Sequence, residues 1–550
     1  MRARGLVAVV LLLAAVTAST RATGRADLRR NVVFASAREA PNARVCYSAP
    51  RQPDAGTLRF SDVTNALGVG QATRGWYGHA TAVGDVNRDG WPDLFFGGFA
   101  DKTPTRAPQS PDRLLLGTPN GFRVDRSFSV PSGRTSGAAF ADLDGDGDLD
   151  LVLSRNVRGE EGGRGPSVVL QNDAGRFTQA SVVDARGGGR SVGVFDYDGD
   201  GRPDLFLVED RFSAGSSVLL HNDGALHFSD ATAQAGLPRD VQGLGVGATD
   251  LNGDGWPDLF VGDSNRLFLN TGKRSFREVH SSTFAWQRFG DEDDPAGVAV
   301  GDVNRDGRND LVIGQHYNST LDRGKRVPVR LYLNEGNDAD DGPRFRDVTD
   351  EAGLVPLPTK APHVEITDLD NDGWPDLLTT ASADHGTRPA IFRNLGVTDG
   401  VPRFQAPDGL GAATYWIAGA TLDVDHDGDL DVFLVNFDTS SSSVLLRNDT
   451  AGGHWLAVQV GTSGTAGLGA SVQVYRAGAV GDASQLIADR DITASTGFGS
   501  GSLPVAFFGV GRAGAVDLRV TRGRSTDPIL NRRIAVDRLV DVGVGASCSG

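Results

Sequence analysis

The acidic nonapeptide D-x-[D/N]-x-D-G-x-x-D occurs seven times in this chain. The copies are DVNRDGWPD at 85, DLDGDGDLD at 142, DYDGDGRPD at 196, DLNGDGWPD at 250, DVNRDGRND at 302, DLDNDGWPD at 368 and DVDHDGDLD at 423. Their first aspartates stand 57, 54, 54, 52, 66 and 55 residues apart. A period of that size marks a supersecondary unit that buries its apolar face only against neighbouring copies of itself.

The flanks define the unit. A run of small residues precedes each loop, as in HATAVG and GVAVG, and a β-rich run follows it, as in LFFGG, LVLS, LFLVED and LVIGQ. A third run, such as SVVLQND, SVLLHND or RLYLNEG, ends in Asn, Asp and Gly, which tolerate positive φ and favour tight hairpins. Phe122, Phe177, Phe228, Phe276, Phe345 and Phe404 each open a fourth strand. Four antiparallel strands repeated radially make the blades of a β-propeller. Seven loops meet only six such phenylalanines, and the seventh is at the front of the chain: Phe60 in FSDVTNALGV matches Phe228 in FSDATAQAGL and Phe345 in FRDVTDEAGL. The expected fold is therefore all-β, a seven-bladed propeller whose last blade takes its fourth strand from the N-terminus. Such closure leaves no open sheet edge.

The loop chemistry points to a hard cation. Ca2+ takes six to eight oxygen ligands in flexible geometry. Side chains at positions 1, 3, 5 and 9 and a backbone carbonyl at position 7 supply most of these, and glycine at position 6 permits the sharp turn. The expected ligands are Asp85, Asn87, Asp89, Trp91 and Asp93; Asp142, Asp144, Asp146, Asp148 and Asp150; Asp196, Asp198, Asp200, Arg202 and Asp204; Asp250, Asn252, Asp254, Trp256 and Asp258. The last three loops offer Asp302, Asn304, Asp306, Arg308 and Asp310; Asp368, Asp370, Asp372, Trp374 and Asp376; and Asp423, Asp425, Asp427, Asp429 and Asp431. Trp91, Trp256, Trp374, Arg202 and Arg308 act through their carbonyls. These are not helix–loop–helix hands, because Phe96 stands where the first loop would need a bidentate glutamate at position 12. Removing Arg2 and Arg4 with a leader takes the formal charge from −16 to −18, and seven Ca2+ would bring it to about −4. Mg2+ fits less well, since it demands rigid octahedral geometry and retains waters.

Repeats such as AVGDVNRDGWPDLFFGG resemble the FG-GAP or VCBS-type repeats of integrin α-subunit propellers and related secreted proteins, over residues 56 to 450. The resemblance implies calcium at the loop carboxylates. After residue 450 the acidic loops stop. GGHWLAVQV, GLGASVQVY and VAFFGVG resemble the ASPIC/UnbV domain that follows such propellers in the cartilage acidic protein family and its bacterial relatives, the match being carried by His454, Trp455, Gly467, Gly469 and Ala470. Alternating apolar runs there predict a small sandwich-like β domain over 451–550. The resemblance implies an extracellular interaction, adhesion or matrix-type protein more than an enzyme.

The ends and the surface add further expectations. Residues 1–18 read as a secretory signal peptide, with a basic start, an apolar core and small residues up to Ala18. A secreted or surface location follows, with no membrane span once the leader is removed. Residues 19–55 are Arg-rich without a period, either a flexible arm or a segment that holds Cys46 against the C-terminal domain. Cys46 and Cys548 are the only cysteines, an even count that invites one bridge between the chain ends. The acidic balance disfavours nucleic acid and leaves a protein or glycan ligand as the expected partner. Arg323, Lys325, Arg326 and Arg330 form a basic segment suited to an anionic one. Sequons stand at Asn318 and Asn448. The alternative to a binding module is a lyase or hydrolase acting on polysaccharide or phosphoester near the central channel. The register brings His79, Arg134, Arg190, Gln242, Asp294, His363 and Tyr415 there, with His79 and His363 as the candidate groups.

Overall fold

The computed structural model describes residues 33–34, 43–51, 57–99, 112–130, 133–156, 166–184, 189–211, 215–279, 293–317, 329–338, 342–355, 360–381, 390–405, 408–410, 416–461, 467–522 and 528–543. The expected leader, Asn318, Tyr415, Cys548 and the basic residues 323–326 lie outside them. Among the described residues no helix is long and apolar enough to cross a membrane.

Each acidic loop joins the first two strands of one antiparallel sheet. In the first unit the strands are Gly78–Gly84, Asp93–Gly98, Arg113–Leu116 and Arg123–Val124, with the loop between the first pair. The described residues form seven sheets of this kind. The strand before each loop lies innermost, and consecutive innermost strands are neighbours. Trp416–Leu422 of the last unit packs on Gly78–Gly84 of the first, which closes the ring. The result is a β-propeller, as expected. Small residues lead the inner strands because seven of them converge on one axis. Larger apolar side chains fill the gaps between blades: Val152 and Val169 of the second unit meet Val194, Leu205 and Leu207 of the third.

The outer strands follow the phenylalanines except in the sixth blade, where Phe404 ends a separate hairpin, Asn394–Thr398 with Val401–Phe404, and Asp408–Gly409 is the fourth strand. A buried or half-buried Phe stands opposite the asparagine that ends the third run in six pairs: Asn172 with Phe177, Asn222 with Phe228, Asn270 with Phe276, Asn334 with Phe345, Asn394 with Phe404 and Asn448 with Phe60. The last pair is the expected closure. Strand Phe60–Asp62 completes the sheet formed by Val444–Asn448, Asp431–Asn436 and Trp416–Leu422.

The C-terminal segment forms two further sheets around one apolar core. One contains Val33–Phe34, Ala43–Ser48, Arg538–Val542, His454–Val460 and Val505–Gly511; the other contains Leu486–Asp491, Ala470–Arg476, Ala515–Arg522 and Leu530–Ala535. Val45, Leu456, Val458, Phe508 and Val540 from the first face Val472, Val474, Val516 and Leu518 from the second. The strand that carries Cys46 is therefore part of this sandwich, hydrogen-bonded to Arg538–Val542 near the other chain end.

Candidate metal centres

Loop geometry repeats as closely as loop sequence. In the first loop Asp85 accepts from the amides of Asp89 (3.1 Å) and Gly90 (2.7 Å), and Asn87 accepts from Asp89 N (3.0 Å). The backbone turns left-handed at positions 4 and 6. Every position-6 glycine has φ between 82° and 96°, a conformation that a Cβ would strain. Position 4 is Gly145, Gly199 and Gly253 in three loops, and Arg88, Arg305, Asn371 and His426 in the others, with φ of 54–62°.

Position 9 is the anchor. Asp93, Asp150, Asp204, Asp258, Asp310, Asp376 and Asp431 are fully buried. Each accepts one amide from position 2 of its own loop and one from the end of the third strand, such as Leu143 N (3.0 Å) and Asn172 N (2.9 Å) on Asp150. The third-strand asparagines then tie neighbouring blades together. The Nδ2 groups of Asn172, Asn222, Asn270, Asn334, Asn394 and Asn448 donate to Val86, Leu143, Tyr197, Leu251, Val303 and Leu369, each the position-2 carbonyl of the preceding loop. Gly117 holds the corresponding place in the first blade. The first and last blades are joined instead by a stack. His426 lies 4.1 Å from Trp91 and 4.4 Å from Tyr47, and Tyr47 Oη donates to Asp423 (2.9 Å).

Carboxylates from loops two, three, six and seven converge closely enough to share an ion. Asp142, Asp144 and Asp146 form one such group. Asp196, Asp198 and Asp204, Asp368, Asp370 and Asp376, and Asp423, Asp425 and Asp431 form the others, each from positions 1, 3 and 9. In the remaining loops position 3 is Asn87, Asn252 or Asn304, so fewer charges meet. Burial, opposed by the loop amides, pushes Asp85 up to about 7, Asp93, Asp150 and Asp204 to about 8, and Asp142 and Asp302 to about 6. Asp258, Asp310, Asp368, Asp376, Asp423 and Asp431 move well up for the same reason. Carboxylates this costly to ionise without a counter-charge fit a divalent cation. The all-oxygen donor set at positions 1, 3 and 9 suits a hard ion.

The residue just before the end of the third strand was invisible in the motif, yet in loops two, three and six it reaches position 3. Where position 3 is Asn, that residue is Leu116, Leu269 or Leu333; where it is Asp, the residue is Gln171, His221, Arg393 or Arg447. Gln171 donates to Asp144 (2.9 Å), Arg393 pairs with Asp370 and His221 reaches Asp198, while Arg447 turns to Asp449 (2.8 Å). Arg51 pairs with Asp429 of the seventh loop. Arg202 and Arg308 at position 7 turn their side chains back on Asp200 and Asp306. In loops two, three and six the extra aspartate thus meets a polar or basic group from the adjacent strand.

The central channel is filled by the chain itself. Residues 496–502, a loop of the C-terminal sandwich, run along the inner strands. Ser500–Gly501 pairs in parallel with Thr81 and Ala82, and Gly497 exchanges two backbone hydrogen bonds with Val298. Gly499 N donates to Ser191 Oγ (3.1 Å), and Phe498 N donates to His363 Nδ1 (3.2 Å). Phe498 is buried against His79, with ring centroids 5.5 Å apart. The channel histidines are therefore packing groups. His79 stacks on Phe99 (4.1 Å), and His363 is fully buried under the plug. Arg134 covers the Phe99 ring, Arg190 pairs with Asp210 and Gln242 donates to Gly215 O. Asp294 stands opposite His316 at the start of an inner strand. Arg330, from the basic segment, is buried. Asn448 is buried with Nδ2 donating to two carbonyls, so this sequon is closed in the folded chain.

Comparison with known proteins agrees with this architecture. The FG-GAP-like repeat family matches residues 196–261, 250–313 and 368–434. Cartilage acidic protein 1 of Mus musculus is 26% identical over 494 residues, 80% of this chain and 70% of that protein. Its Homo sapiens counterpart is 26% identical over 484 residues, 80% and 68% respectively. Integrin alpha-IIb of Mus musculus is 25% identical over 253 residues, 40% of this chain and 22% of the integrin.

Proposed function

We propose that this chain, an FG-GAP-repeat protein with an integrin-α-like propeller, is a secreted calcium-binding module of the adhesion or matrix type, its calcium structural. The observation that carries the reading is the recurrence of one wrapped acidic turn at the same place in seven sheets, with carboxylates converging in four of them. The ligands are the side chains at positions 1, 3, 5 and 9 and the position-7 carbonyl, about one ion per blade. Bound calcium supplies the positive charge that these buried aspartates lack. Sites with dissociation constants of about 10⁻⁴–10⁻³ M would each add about 0.4–1.4 kcal/mol in ~1 mM calcium, or roughly 3–10 kcal/mol over seven. That is comparable with the stability of a whole domain.

The likeness to cartilage acidic protein 1 and to integrin alpha-IIb supports secretion. The filled channel favours binding over channel-centred catalysis and leaves recognition to the rim loops, where rigid scaffolds commonly carry it. The test is calcium stoichiometry by equilibrium dialysis, followed by matrix-protein and glycan arrays with calcium and with chelator. About seven calcium ions per chain and calcium-dependent capture are expected. A chain that binds no calcium overturns the reading.

A further inference from the structure

The third loop differs from the other six in one ligand type. His221 occupies the strand position that faces the position-3 aspartate, and its Nε2 lies 3.2 Å from Asp198 Oδ2 and 3.5 Å from Asp200 Oδ2. These three groups converge within the span of one coordination sphere. Two observations point to a ligand between them. The Asp198 side chain is completely buried, yet its Oδ2 is met only by ion-pair contacts, from His221 Nε2 and Arg274, and neither that oxygen nor the buried Nε2 makes a well-directed hydrogen bond. The far side of the imidazole is already held: Nδ1 contacts Asp223 Oδ1 at 2.9 Å. A carboxylate on Nδ1 can hold the ring proton there when an ion takes Nε2, the usual support for a metal-bound histidine.

The alternative is simple charge balance, with His221 doing for Asp198 what Gln171 does for Asp144. Arg274 already serves that purpose, its guanidinium 3.2 Å from Asp198 Oδ2 on a largely exposed side chain that an incoming ion displaces. Arg202 does the same for Asp200. A histidine added to two covered carboxylates is therefore unneeded for neutralisation. Its chemistry is distinctive, because imidazole suits first-row transition ions while calcium takes oxygen.

We propose that the third loop is a mixed nitrogen–oxygen site, with Asp198, Asp200 and His221 as ligands, which selects a divalent first-row transition ion such as Mn2+ or Zn2+ over calcium. The inference rests on the loops being cation sites and concerns which ion this one prefers. The test loads the full chain with excess calcium, titrates Mn2+ and reads bound manganese by electron spin-echo spectroscopy. One Mn2+ that resists calcium and shows coupling to an imidazole nitrogen is expected. His221→Leu installs the residue that the first, fourth and fifth blades carry, and His221→Gln the one of the second. Both should abolish the nitrogen coupling and weaken Mn2+ binding at least about tenfold, and Asp223→Asn should weaken it by about tenfold. Absence of nitrogen coupling in the unsubstituted chain, or its survival in both His221 variants, overturns the proposal. The two readings fail separately. Calcium bound at the other loops with no nitrogen-coupled manganese sinks only the third-loop assignment. A nitrogen-coupled manganese site in a chain that binds no calcium sinks only the calcium reading.

Discussion

At the scale of single residues, the asparagine belt and the buried aspartates make separable predictions. Asn334, itself buried, donates to Leu251 O (2.8 Å) and Asn309 O (3.1 Å) and accepts from Gly336 N (3.0 Å). Asn334→Ala leaves these groups unpaired, and a loss of about 3 kcal/mol is expected in urea denaturation with calcium in excess. Asn448 is in the same position, so mass spectrometry of chain secreted from a glycosylating host should find the Asn448 peptide unmodified. The aspartates set a pH dependence. Desolvation raises Asp85 to about 7 and Asp93, Asp150 and Asp204 to about 8 in the folded chain, against 3.8 when exposed. Between those limits the folded chain holds more protons than the unfolded one, so stability falls as pH rises. The chelated protein should melt lower at about pH 8 than at about pH 5.5. Excess calcium, which replaces the protons, should reduce or reverse that slope. A melting temperature that rises with pH in chelator contradicts the account.

At the scale of elements, two short segments do work out of proportion to their length. Strand Phe60–Asp62 completes the last blade, and the loop 496–502 fills the channel. Phe498 is the largest side chain on that loop and is 1% exposed. Phe498→Ala should cost about 3–5 kcal/mol by cavity formation at a site where strands from several blades limit collapse. Calorimetry and denaturant titration both read it. A loss below about 1 kcal/mol would mean that the channel wall, rather than the plug, holds the inner strands in place.

At the scale of the whole molecule, the sandwich and the propeller are tied at several points. Strand Ala43–Ser48 belongs to the sandwich, yet the next described strand, Phe60–Asp62, completes the last blade, while Tyr47 reaches Asp423 and Arg51 reaches Asp429 of the seventh loop. Trp455 of the sandwich lies so close to Gly428 that a Cβ there would meet its indole at 2.0 Å. With the plug added, the two parts should unfold in one calorimetric transition, and limited proteolysis should release no stable fragment from residue 451 onward. Two resolved transitions would show that these contacts couple weakly.

The sequence alone determined whatever repeats. Seven spaced acidic turns, the small-residue inner strands and the count of phenylalanines were enough to reach an all-β ring closed by the N-terminal strand, because periodicity and turn chemistry are local properties written into each copy. Contacts made once had no such signal. The insertion of Phe498 among the inner strands and the stacking of His426 between Trp91 and Tyr47 at the seam join residues far apart in the chain. Only the folded ring brings them together, and it turned channel histidines that looked available for chemistry into packing groups.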